Sequence, residues 1–456
     1  MKIFKCIIKP VAFITLFLIL LSAVSVPLMF SEDDNEFQWM TGIYAEREDA
    51  LDAVYIGSSN CYAFWNPAIA WERYGISVLP YTCSSQPLIA AEYLVREARK
   101  TQPDAVYIIN TNTVGILGDS NSGSGDSVSD FDSVVLHRLL DYMPLSVNKL
   151  KLTDYLCDVA ELSFSERLEY YFPIIRYHDK WDTLTEENFD YETNNYKGAD
   201  TLYWYLGYIC DVSENYTVTD ECLPISDVLT DSLNSLLDYC EEEDVRVLFV
   251  SVPRAEENEG DPERINTVNK LIEDRGFTVL DLVDKVDEIG IDTATDYYNI
   301  THTNLHGAIK FTYYLSDYLI ENYGFEDKRG DPDYSDWDQA AEDYAELIKS
   351  RRLPVENFWR MRNYDIPAPW ISEVSEGGSS SIDITWTAAW GATGYEIYRK
   401  VDDVEWVYIA DSFETTFTDK DAAKSGKYVY TIVPYCIEDG EKYYGKFNYW
   451  GRALEK

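Results

Sequence analysis

The run Leu51-Asp-Ala-Val-Tyr-Ile-Gly-Ser-Ser-Asn60 constrains the fold more than any other stretch of the chain. Its apolar residues, Ala53 to Ile56, end in Gly57 and two serines. A short unbroken apolar run closed by turn residues reads as a strand buried on both faces, and such strands belong to parallel sheets covered by helices. The pattern recurs downstream. Asn66 to Tyr74 reads as a helix with Pro67 at its first position and Gly75 as its stop. A strand over Ile76–Leu79, a helix over Leu88–Lys100 and a strand over Ala105–Ile109 follow. Strand, helix, strand, helix, strand predicts a parallel α/β sheet with right-handed crossovers. Ligands of such sheets gather at the C-terminal ends of the strands. Ser58, Ser59 and Asn60 are therefore expected on a functional edge.

From Gly115 to about Thr219 the pattern breaks, with a low-complexity loop over 118–130. An insertion of this length inside a sheet domain shapes a substrate cleft or a partner surface. The alternation resumes with a helix over Ile225–Glu243, a strand over Val245–Val252, a helix over Glu263–Arg275 and a strand over Thr278–Asp281. The loop Asn299–His302 then opens onto a helix over Gly307–Tyr323. Residues 326–365 read as an acidic connector with one helix over Trp337–Ser350. From Ile366 the period changes to two: Ser381–Trp386, Gly394–Arg399, Trp406–Ile409 and Tyr428–Val433 alternate apolar and polar residues between turns. That predicts an all-β sandwich.

Lys+Arg number 38 against Asp+Glu 81, a net charge of -43. Nucleic-acid phosphates would be repelled, so no nucleic-acid partner is expected. Lys2, Lys5 and Lys9 precede an apolar run from Val11 to Phe30, and an acidic segment follows. About 20 apolar residues at ~1.5 Å each span the ~30 Å of bilayer hydrocarbon. The leading lysines keep that flank cytoplasmic. An uncleaved transmembrane helix over residues 1–30 is expected, with the rest of the chain extracytoplasmic. The alternative is a secreted chain cleaved after Ala23-Val24-Ser25. The eight cysteines include no C-x-x-C, which speaks against a zinc site. They read as free thiols, and spacing leaves the pairing of Cys210 with Cys222 open.

Two resemblances follow from particular residues. Residues 51–325 resemble the SGNH/GDSL hydrolase family, in its extracytoplasmic, membrane-anchored branch with the D-alanyl-transfer protein of teichoic-acid modification and exopolysaccharide acetyl-transfer proteins. Ile56-Gly-Ser-Ser59, Asn110-Thr-Asn112 and Asn299-x-x-His302-Thr-Asn-Leu-His-Gly-Ala308 carry the likeness. It implies a flavodoxin-like three-layer sandwich over 31–325. From about 366 to 456 the tail resembles a fibronectin type III module, on Trp386, the Gly394-Tyr-x-Ile-Tyr-Arg399 strand, the Phe417-Thr-Asp419 turn and the Gly426-Lys-Tyr-x-Tyr430 run. That likeness implies a spacer or adhesive module.

By the first resemblance Ser59 takes the nucleophile's place, with Ser58 where an aspartate often sits, and His302 that of its base. A serine at its free pKa is a poor nucleophile and needs such a base. Oxyanion donors would be the Ser59 backbone N–H, Asn112 (with Asn110 as the substitute) and Ser85, whose loop has no glycine where the family supplies one. His178, in Tyr177-His-Asp-Lys-Trp181, would line the cleft. Asn299 departs from the family, which carries aspartate three residues before the histidine; an amide orients the ring without charge, and Asp296 is near enough in sequence to compensate. The expected function is a membrane-anchored esterase or O-acyltransferase acting on acyl groups of a wall polymer or exopolysaccharide, without metal or organic cofactor. The alternative is an inactive surface protein that binds glycans or partners.

Overall fold

Five short strands, each a run of apolar residues, form one parallel sheet: β1 Ala53–Gly57, β2 Val78–Thr82, β3 Val106–Asn110, β4 Val247–Ser251 and β5 Val279–Asp281. Their order is β2-β1-β3-β4-β5, and each neighbouring pair is parallel. This is the order in which a flavodoxin-like sheet winds, reversing direction between β1 and β3. The structure is a computed structural model describing residues 2–29, 35–114, 130–185, 187–189, 196–202, 205, 210, 212–213, 218–255, 260–359, 366, 368–378, 380–389, 392–402, 405–422, 425–438, 441–445, 447–448 and 451–456. The expected loop over 118–130 lies, up to residue 129, outside the described residues.

Successive side chains of the strands are buried on opposite faces, which is why these runs do not alternate in polarity. Val54, Ile56, Tyr107, Ile109 and Phe249 pack with Leu94, Leu156, Leu233 and Leu237 in one core. Tyr55, Ile108, Leu248 and Val250, on the other face, are 0% exposed as well. The helices in chain order are α1 Lys2–Met29, α2 Asn35–Thr41, α3 Ser59–Phe64, α4 Pro67–Tyr74 and α5 Ala91–Ala98. The insertion supplies α6 Asp130–Leu140, α7 Val147–Val159, α8 Phe164–Tyr171 and α9 Ile174–Tyr177. After it come α10 Asp227–Glu242, α11 Asp261–Asp274, α12 Val286–Ile289, α13 Leu305–Tyr323 and α14 Ser335–Trp359.

The chain divides into two compact units, Met1–Thr201 with Cys210–Tyr344, and Leu202–Ile209 with Ala345–Lys456. The first therefore runs beyond residue 325, where the sequence suggests a connector. Trp337, Ala340, Ala341 and Tyr344 recur at helical spacing on one face of α14 and are buried. Trp337 lies 5.3 Å from Trp71 between ring centroids and donates from Nε1 to Glu46 at 3.0 Å. The acidic composition of 326–365 conceals this apolar stripe.

In the second unit β8 Ile371–Gly378, β9 Ser381–Trp386 and β12 Thr416–Asp419 form one antiparallel sheet. β10 Gly394–Val401, β11 Val407–Ser412, β13 Lys427–Glu438, β14 Glu441–Tyr444 and β15 Arg452–Glu455 form another. Ile382, Ile384 and Trp386 from the first meet Ile397, Tyr430 and Ile432 from the second in a common core. Asp419 ties the two sheets, accepting from Arg399 at 2.8 Å and from the Tyr430 hydroxyl at 2.7 Å.

At the N-terminus Lys2–Met29 is helical, yet no helix among the described residues is long and apolar enough to cross a membrane. The expected transmembrane span is thus not supplied by the structure. Of the cysteines described, Cys61, Cys83, Cys157, Cys240 and Cys436 are buried free thiols, Cys210 is half-buried and Cys222 is exposed.

Candidate functional site

The sheet reverses between β1 and β3, and both strand ends carry polar side chains there. Gly57 closes β1 where a side chain would not fit: a Cβ would lie 2.6 Å from that of Asn110 and 2.7 Å from Cys61 Sγ. Ser58 is the N-cap residue of α3, and Ser59 is the first residue of that helix. Far downstream in the sequence Tyr297–Asn299 (β6) and His302–Thr303 (β7) make a small two-stranded turn that precedes α13. Gly307 permits α13 to start against this turn, since a Cβ there would lie 2.4 Å from the Asp296 carbonyl oxygen.

Two bonds join the histidine turn and α13 to the serine helix and the chain just after it, and a cap braces the turn itself. Thr303 Oγ1 donates to the Ala63 carbonyl at 2.6 Å. Asn66 N donates to Thr312 Oγ1 at 2.9 Å. Asn304 caps α13 and donates from its amide to the Thr295 and Tyr297 carbonyls at 2.8 and 3.3 Å. The result is contact between two side chains 243 residues apart: Ser59 Oγ and His302 Nε2 are 2.6 Å apart.

The tautomer follows from the other ring nitrogen. Asn299 Oδ1 accepts the backbone N–H groups of Thr301 and His302 at 2.9 and 3.0 Å, so the atom facing the ring is the amide oxygen. His302 Nδ1, 2.9 Å from that oxygen, must carry the proton. Nε2 is left with its lone pair toward the serine hydroxyl, which donates to it. Thr301 Oγ1, 2.9 Å from Nδ1 and 3.2 Å from Asn299 Oδ1, closes the arrangement. Tyr298 stacks on the imidazole with ring planes 6° apart. Burial, then the positive charge of Arg254, pushes the His302 pKa down to about 3. The imidazole is neutral at pH 7, correctly oriented, and a weak base.

The remaining expected site residues divide. Asn60 is 1% exposed and its amide reaches Asn110 Oδ1 across a long 3.5 Å. Ser85 has φ 59°, a left-handed conformation that glycine adopts without cost, at the position where the sequence lacks the expected glycine. Asn112 is engaged with β4's continuation: its Oδ1 accepts Val252 N at 2.8 Å and its Nδ2 donates to the Val252 carbonyl at 3.1 Å. It clamps two loops together in the way a ladder pair would. Asp296 does not stand in for the missing triad carboxylate; it accepts from Lys310 at 2.5 Å and from Asp292 N at 2.7 Å. His178 is exposed, its Nδ1 bonded to the Ile175 carbonyl of its own turn at 2.8 Å. It is bonded to none of the site's side chains.

Sequence reasoning missed Arg254, Thr301 and Tyr298. Arg254 follows Val252-Pro253 just past β4, the edge that should have marked it. Its loop is tied to the histidine turn by the Tyr297 hydroxyl, which donates to the Pro253 carbonyl at 2.5 Å.

No family model matches the chain, and no curated protein matches it. Among solved structures, part of the chain is similar to a Fn3-like protein from Clostridium thermocellum, 22% identical over 18% of this chain and 90% of that one, with a TM-score of 0.15. It is also similar to an FN3 domain of human collagen XX, 20% identical over 20% of this chain and 92% of that one, TM-score 0.16. A structure of titin kinase and its flanking domains is 18% identical over 18% of this chain, and the match spans 16% of that chain, TM-score 0.16. The second unit stands as a two-sheet antiparallel domain on its own strand pairing.

Proposed function

We propose that the chain is a serine esterase or O-acyltransferase of SGNH type, acting outside the cytoplasm on acyl esters of a wall polymer or exopolysaccharide. The observation that carries this reading is the 2.6 Å contact between Ser59 Oγ and a His302 Nε2 whose lone pair faces it. Ser59 Oγ attacks the acyl carbonyl carbon while Nε2 takes its proton. The tetrahedral oxyanion lies at the start of α3, beside the Ser59 N–H and the loop of Ser85. Collapse expels the sugar oxygen, which leaves with the proton from Nε2. Water or a second sugar hydroxyl then repeats the steps in reverse on the acyl-serine. Asn112 serves this site by holding the loops after β3 and β4 together rather than by touching the substrate. The first 30 residues anchor the chain in the membrane, a reading supported by the lysines ahead of the apolar run and by Phe13, Leu16, Phe17 and Leu20 exposed on α1.

A fluorophosphonate probe tests the chemistry. Labelling of the folded full chain that disappears in Ser59→Ala supports it. A second reading, a surface protein that binds glycans without turnover, is favoured by the amide at Asn299 and by the weakly basic imidazole. Absence of labelling on folded wild-type protein would decide for the binder.

A further inference from the structure

A cavity of about 370 Å³ lies between the C-terminal half of α1, α2 and the helices of the insertion. None of the residues around Ser59 and His302 lines it. Leu21 and Met29 of α1, Phe37 of α2, and Leu145 and Phe172 of the insertion make its walls mostly apolar. Two charged side chains interrupt them, Asp141 and Lys149, 3% and 4% exposed.

These two are partly satisfied from within. Lys149 Nζ donates to the Met143 carbonyl at 2.9 Å, and burial lowers the pKa of its ammonium to about 8. Asp141 Oδ2 meets His137 Nδ1 at 2.9 Å and accepts the Tyr177 hydroxyl at 2.8 Å. Asp141 Oδ1 is buried with no hydrogen-bond partner. A buried acceptor left so costs ~1–3 kcal/mol. What the site lacks is a donor that also tolerates a neighbouring ammonium. A hydroxyl does both, accepting from Lys149 Nζ and donating to Asp141 Oδ1. A carboxylate has no proton to give and would face another carboxylate.

Size and position describe the remainder of the ligand. An engineered apolar cavity of ~150 Å³ holds benzene, and a water-sized volume is about 30 Å³. On that scale 370 Å³ takes an aliphatic chain of roughly a dozen carbons. Phe13, Leu16, Phe17, Leu20 and Val24 recur on one exposed side of α1. Ile175, Trp181 and Phe189 are exposed on segments that pack against the same helix. An exposed apolar surface of this extent suits contact with lipid. Ala45 and Leu145 stand exposed at the cavity's rim.

We infer that this cavity binds one lipid molecule, with an aliphatic chain of roughly a dozen carbons and a hydroxyl-bearing head held between Lys149 and Asp141. The inference is independent of turnover at Ser59.

The test uses the full chain in lipid nanodiscs and a monolauroylglycerol carrying a diazirine in its chain. Photolysis should label peptides containing Tyr142–Leu145 and Tyr171–Pro173. Ala45→Trp, which fills the mouth from an exposed position, should cut that labelling about tenfold, with Leu145→Trp as the second plug if the first fails to fold. Lys149→Met should weaken it about tenfold, the worth of roughly 1.4 kcal/mol. Unlabelled lauric acid should compete at least about tenfold less well than monolauroylglycerol. Undiminished labelling in both folded plug variants, or labels confined to residues 13–20, would overturn the cavity site; equal competition by lauric acid would overturn the hydroxyl head.

Discussion

Replacing Asn299 by aspartate turns an oriented but uncharged imidazole partner into a charged one. The new carboxylate would be well received: the oxygen in its place already accepts Thr301 N, His302 N, Thr301 Oγ1 and His302 Nδ1. A negative charge ~4 Å from the imidazolium at an effective dielectric of ~20 is worth about 4 kcal/mol. At 1.36 kcal/mol per pKa unit that is about three units, which raises the His302 pKa from about 3 to roughly 6. The imidazolium that forms as Ser59 attacks gains the same energy, so kcat/KM rises by up to ~10³. The opposite exchange in a serine-protease triad costs ~10⁴ in rate. Hydrolysis of p-nitrophenyl acetate by the full chain, followed from pH 4 to 8, measures both effects. Wild type should show no acid limb in that range, because its base stays unprotonated. Asn299→Asp should be faster at pH 7 and lose rate as pH falls through about 6. Linkage gives a second readout. Folded wild type takes up this proton only far below the unfolded value near 6.5, so His302 subtracts stability as pH drops from there toward about 3. The variant should lose less over the same window. An unchanged rate with an unchanged pH profile would mean that His302 is not the base.

Two further outcomes bear on the framework. Gly57→Ala should lower thermal stability by about 1–3 kcal/mol, because the new methyl meets Asn110 and Cys61 inside van der Waals distance; a melting temperature equal to wild type would show that this approach is not tight. Membranes from cells expressing the full chain should retain it after high-salt washing if residues 1–30 anchor it, whereas quantitative recovery in the medium of a chain lacking the first ~25 residues would assign them to a cleaved leader.

The sheet was legible because each of its strands is an unbroken apolar run between turn residues; Ser59 was legible as the residue just past the first of them, and His302 through the motif resemblance around it. What escaped depended on side-chain direction. Asn112 and Asn110 are two residues apart at the end of one strand, and nothing in the sequence tells that the former bonds the Val252 backbone while the latter faces Asn60. Asp296 resembles a triad carboxylate by spacing, yet Lys310 lies one helical turn into α13 and claims it. Thr301 reaches the ring from the turn itself, beside a pairing irregularity between Tyr297 and Asn299 that the sequence does not announce. That α14 belongs to the first unit as far as Tyr344 was written in Trp337, Ala340, Ala341 and Tyr344, but the surrounding acids hide a narrow stripe. His137 and Asp141, four apart in sequence, carried a pairing signal that helical spacing makes readable.

The bonds that dock the histidine turn onto α3 give the chain an order of events during synthesis. A growing polypeptide displays its hydroxyl early, while the imidazole is still uncoded protein some 243 residues away. Until α13 has left the ribosome and Thr303 has found the Ala63 carbonyl, the nascent protein lacks the His302 imidazole beside Ser59. Prematurely terminated products would therefore lack the Ser59–His302 contact, and under the proposed chemistry labelling of Ser59 would report that the chain had been made through α13.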